Sequence, residues 1–70
     1  QHLAALGVYQ KASSVPGAPA EVFFNLGNVL LDLGRWEESA AAMERALELQ
    51  PQMTSALEAK RNLVSGYQPL

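Results

Sequence analysis

One 34-residue stretch, from Ala20 to Met53, limits what this chain can fold into more than any other feature. It reads Phe23-x2-Leu26-Gly27-x2-Leu30, then Ser39-x3-Met43-x2-Ala46, then Pro51. Large residues three and four apart mark an amphipathic helix. The pattern runs twice, interrupted near Gly34 and stopped at Pro51, so it describes two helices joined by a tight turn.

The same period reaches into the flanks. Moving back 34 residues from Ser39, Met43 and Ala46 lands on Ala5, Tyr9 and Ala12. Moving forward 34 from Phe23 and Leu30 lands on Leu57 and Val64. Small residues fall on small ones and large on large, the mark of a stacked structural repeat.

Four helices follow from pattern and punctuation. The first is expected from His2 to Ser14, ended by the Pro16, Gly17 and Pro19 cluster. The second runs from Ala20 to Leu33, with Pro19 at its start and Gly34 as its C-terminal cap. The third runs from Trp36 to Leu49, with Glu37 and Glu38 placed to meet the positive end of the helix dipole. The fourth runs from Met53 to Ser65 and ends at Gly66, followed by a fraying tail from Tyr67 to Leu70.

At 100° per residue, the third helix shows a narrow apolar stripe of Trp36, Ala40, Met43 and Leu47, flanked by Ser39 and Ala46. Glu37, Glu44, Arg45 and Glu48 fall on the opposite, solvated side. The second helix is apolar over a wider arc: Val22, Phe23, Leu26, Leu30 and Leu33, with Phe24 and Leu31 beyond Gly27. Such a helix meets neighbours on more than one side. Phe24 and Leu31 border the polar strip of Glu21, Asn25, Asn28 and Asp32, as an expected exposed apolar pair. Gly27, Ser39 and Ala46 leave room for two helix axes to approach closely. In the fourth helix, Lys60 and Arg61 stand 34 residues after Leu26 and Gly27. Two long cations at those places predict an outer face that meets water and no helix folding back on it.

Composition narrows the function classes. Hydrophobic residues make up 49% and charged residues 17%, a globular balance. The net charge of -2 gives no reason to expect nucleic acid or an anionic membrane as partner. No apolar run approaches the length of a membrane span. There is no Cys, which removes disulfides and thiolate metal sites and leaves the compartment unread, with the cytoplasm as default. His2 is the only His, so a zinc site is not expected, nor any other metal or cofactor. Ser13, Ser14, Ser39, Ser55 and Ser65 have no base placed beside them, and the carboxylate pairs lie on the solvated face. No enzyme activity is expected.

Residues 20–53 resemble the tetratricopeptide repeat family, whose motif places an aromatic, Leu-Gly, a large residue, a small one, another large one, Ala and Pro at the offsets of Phe23, Leu26-Gly27, Leu30, Ser39, Met43, Ala46 and Pro51. The resemblance implies an all-α fold, a right-handed α-solenoid fragment of antiparallel helix pairs. It divides the chain into a second helix of a preceding repeat (1–15), a complete repeat (20–53), a terminal capping helix (54–66) and a tail (67–70). It also implies a core role for Trp36, and a non-catalytic module that binds a protein or peptide segment. In the family the first helix of each repeat lines the concave side, which here would present Glu21, Phe24, Asn28, Leu31 and Asp32, joined by Ser55, Glu58 and Asn62 of the fourth helix. One subclass grips acidic chaperone tails with a clamp of Lys, Asn and Arg. Asn25 matches its Asn, but Ser55 and Ala59 stand where the cations belong, so that match fails.

Two other roles fit the same residues: self-association, and service as an accessory segment of a larger enzyme. Gln1 falls where a helix should already be starting, so both ends read as cuts in a longer protein. Below roughly 70–80 residues a single core seldom supplies more than about 3–5 kcal/mol, and repeat folds usually need about three units. A homo-oligomer through the first helix, with Leu3, Leu6, Val8 and Tyr9 on more than one side, would supply the missing burial.

Overall fold

The computed structural model describes residues 2–64, with side chains for 3–63. Four α-helices follow in order: α1 (His2–Ser13), α2 (Ala20–Asp32), α3 (Trp36–Leu49) and α4 (Thr54–Val64). No strand occurs among the described residues. α3 has the bounds read from the sequence, and the other helix ends fall within a residue or so of expectation. Ser65, Gly66 and the tail lie outside the described residues, as do the side chains of His2 and Val64.

The turns explain the helix ends. Val15 to Ala18 closes with Ala18 N–H donating to Val15 O at 3.1 Å, and Gly17 takes a φ of 81°. Pro16 followed by a left-handed Gly is the chemistry of a type II turn. α2 ends in a Schellman motif: Arg35 N–H donates to Leu30 O at 2.9 Å and Gly34 N–H to Leu31 O at 3.0 Å. Gly34 sits at φ 78°, where a side chain would strain the backbone. At the entry to α3, Arg35 makes a forked pair with Glu38, Nε to Oε1 at 2.7 Å and Nη2 to Oε2 at 3.1 Å. The third turn, over Pro51, closes with Met53 N–H donating to Gln50 O at 3.1 Å.

These short connections make neighbouring helices antiparallel. α1 packs on α2, α2 on α3 and α3 on α4. Two apolar clusters fill the spaces between them. One holds Leu6, Val29, Leu30 and Ala42, with Ala5, Tyr9, Leu26 and Leu33 against it. The other holds Ala20, Met43, Ala46 and Ala56, with Phe23, Phe24, Leu47, Met53 and Ala59 against it. The molecule is a fragment of an α-solenoid built from antiparallel helix pairs.

Between the clusters α2 and α3 touch most closely. Gly27, Ser39, Met43 and Ala46 are all buried. A Cβ at Gly27 would lie 2.7 Å from Met43 Cε and 3.1 Å from its Sδ. The Met43 side chain therefore occupies the space that Gly27 leaves free.

Several faces differ from the sequence expectation. The buried side of α3 is turned toward Ser39, Ala42, Met43 and Ala46, while Ala40 and Leu47 are half-buried. Trp36 is exposed at 38%, not core, because it stands in the first turn of α3, ahead of the crossing with α2. In α2, Val29 is buried, whereas Val22, Phe23, Leu26 and Leu33 are half-buried. In α1, Leu6 is core, Tyr9 packs against it, and only Leu3 and Val8 of the expected stripe are exposed. In α4, Leu57 is exposed, and half-buried Lys60 reaches back to α3, with Nζ 3.3 Å from Glu44 Oε2. The outer line of α4 is therefore Leu57 and Arg61, not Lys60 and Arg61.

Candidate partner-binding face

The eight residues proposed to meet a partner come from two helices. On α2 a spacing of three and four residues puts Glu21, Phe24, Asn28, Leu31 and Asp32 on one side. Glu21 and Asp32 are exposed, and Asn28 is half-buried. Phe24 and Leu31 are also half-buried, which corrects the expectation of an exposed apolar pair. Phe24 packs against the cluster that includes Ala56, with Ala59 beside it, so its ring spans from α2 toward α4. Its edge alone remains for a ligand. Leu31 and Asp32 lie two turns farther along α2, roughly 10 Å away.

On α4, Ser55, Glu58 and Asn62 share one side by the same spacing, and all three are exposed. Burial of Ala56 and packing of Ala59 hold that part of α4 against the second cluster. The N-terminal half of α2 and the first two turns of α4 thus bound one surface. Asn25 adjoins it, half-buried like Asn28. Neither amide forms a hydrogen bond with a described residue, so neither serves to link two helices. The Ser39 hydroxyl makes the buried helix-to-helix bond instead.

Charge is divided between the two sides of the molecule. Arg35 pairs with Glu38 at 2.7 Å, Arg45 with Glu48 at 2.8 Å, and Lys60 with Glu44 at 3.3 Å. All three carboxylates belong to α3. Arg45 also lies over the Phe23 ring, 5.6 Å from its centroid, which keeps this cation on the α3 side. Glu21 and Glu58 have no ion pair among the described residues. The acids of α3 are compensated, and those two are not.

Two shallow depressions lie elsewhere. One, of about 350 Å³, is lined by Gly34, Arg35, Trp36, Glu37 and Glu38 at the turn into α3. The other, of about 400 Å³, is lined by Thr54, Leu57, Glu58 and Arg61 on the outer side of α4. Sequence periodicity assigned Trp36 and Leu57 to the core. The signal that distinguishes them is position: Trp36 precedes the helix crossing, and Leu57 falls on the side of α4 turned away from α3. Among the described residues no group of three or more His, Cys, Asp or Glu is placed to hold a metal, and no helix is long and apolar enough to cross a membrane.

The family model for the tetratricopeptide repeat matches residues 20–53, which are α2, the Schellman turn, α3 and the turn over Pro51. Comparison with curated proteins and with solved structures gives no significant match. Repeats of this kind are typically non-catalytic and mediate protein–protein interaction. With the close-packed Gly27, Ser39, Met43 and Ala46 at its centre, residues 20–53 are a tetratricopeptide repeat, and through it the chain belongs to the tetratricopeptide repeat family.

Proposed function

We propose that the chain is a non-catalytic binding module that holds a segment of a partner protein along the concave side formed by α2 and α4. The observation that carries this reading is the set of groups left open there: the edge of Phe24, the amides of Asn25 and Asn28, and the carboxylates of Glu21 and Glu58. An extended segment needs an apolar anchor and main-chain partners, and this surface offers both. In the same reading, α1 acts as the second helix of a preceding repeat and α4 as a terminal capping helix. Selection of binding peptides from a random library, followed by Phe24→Ala and Asn28→Ala variants, tests it. Binding is lost in both while circular dichroism stays helical. Undiminished binding by both variants would place the ligand elsewhere.

A second reading, self-association, draws on one observation. Leu3 is 73% and Val8 65% exposed on α1, which packs on α2 alone among the principal helix contacts. A second copy covering α1 would bury both and add to a thin core. Sedimentation across a wide concentration range tests this, and a monomer throughout would remove it.

A further inference from the structure

Resting on the concave-face reading, we infer that this face selects an extended segment with Lys or Arg on both sides of one large apolar residue, and rejects acidic segments. The argument is the charge division. Arg35, Arg45 and Lys60 are drawn to Glu38, Glu48 and Glu44 of α3. Lys60 matters most. It is the α4 cation nearest the second cluster, and its pairing with Glu44 turns it away from Glu58.

Glu21 lies one turn before Phe24 on α2. Glu58 lies next to Ala59 on α4, and Ala59 and Phe24 pack against the same cluster. The apolar anchor point is thus bounded on two helices by carboxylates with no ion pair among the described residues. Arg61 belongs to the outer flank of α4 with Leu57, where it lines the other side of Glu58. A basic segment seated on Phe24 gains two attractive contacts, and an acidic one meets two repulsive ones. The amides of Asn25 and Asn28 can donate to and accept from its main chain whatever its side chains.

The test uses two nine-residue peptides, each with a central Leu, flanked on both sides by Lys in one and by Glu in the other. Each is labelled and titrated with the full chain by fluorescence anisotropy. At low ionic strength the Lys peptide should bind roughly tenfold tighter than the Glu peptide, and salt should shrink that ratio. Glu58→Lys should bring the ratio near one. Glu37→Lys, an equal change of net charge on the outer side of α3, should leave it unchanged. Equal binding of both peptides, abolished for both by Phe24→Ala, overturns the cation preference while the concave-face reading stands. A ratio moved as far by Glu37→Lys as by Glu58→Lys overturns it as a diffuse charge effect. No binding of either peptide overturns it as well.

Discussion

The Ser39 hydroxyl donates a hydrogen bond of 2.7 Å to the carbonyl oxygen of Gly27, across the buried contact between α3 and α2. Ser39 is fully buried, and no other side chain crosses between two helices with a printed buried hydrogen bond. The bond forms only because Gly27 has no side chain to hold the helices apart. The carbonyl already accepts within the α2 ladder, so the hydroxyl uses its second lone pair.

Ser39→Ala keeps the packing and removes that bond. Stability should fall by about 0.5–1.5 kcal/mol. Ser14→Ala, which removes an exposed local bond to Lys11 O, should change it far less. Urea unfolding of both variants checks the difference, and equal midpoints would show that the buried bond adds nothing.

The two helical glycines make opposite predictions. A Cβ at Gly7 meets nothing within 4 Å, so Gly7→Ala should stabilise the chain by about 0.5–1 kcal/mol through helix propensity. At Gly27 the Met43 side chain is in the way, and Met43 is itself fully buried with no free space to retreat into. Gly27→Leu should cost about 1–3 kcal/mol or more despite its better propensity. Thermal melts moving in the same direction for both would contradict this account of the interface.

Much of this contact was legible in the sequence. Phe23-x2-Leu26-Gly27 and Ser39-x3-Met43-x2-Ala46 identify the two helices and their small-residue crossing, and Gly34 and Pro51 mark their ends. Which way each helix turns was less legible. Ala40, Ala41 and Ala42 are identical in bulk, so periodicity cannot say that Ala42 is the buried one. α1 carries apolar residues on all sides, so nothing in its pattern separates buried Leu6 from exposed Leu3 and Val8. Lys60 was misplaced because a long aliphatic stem can follow an apolar surface and deliver its charge to a neighbouring helix. The candidate face followed from the repeat register, whereas the burial of Phe24 depends on α4 lying against it.

Leu6 and Val8 separate folding from association at α1. Leu6→Asp should lose helicity, since it buries a charge in the first cluster. Val8→Asp and Leu3→Asp should keep helicity, and any self-association that uses α1 should disappear with them. An oligomer that survives both substitutions would not be formed through this helix.

Phe24 should matter to binding beyond its share of the core. Phe24→Ala is expected to weaken binding of a selected segment by about 1–3 kcal/mol. It should cost less stability than Leu30→Ala, because Leu30 is 4% exposed and Phe24 only half-buried. Equal destabilisation by the two would make Phe24 a core residue and remove the anchor from the proposed face.

Amide chemical-shift mapping of the Lys-flanked peptide on the intact chain tests the central claim most directly. The account predicts that the largest changes run along one side of α2 from Glu21 to Asp32 and along α4 from Ser55 to Asn62. α1 and the outer side of α3 should stay unperturbed. Changes centred on Leu3 and Val8, or on the depression around Trp36, would contradict it.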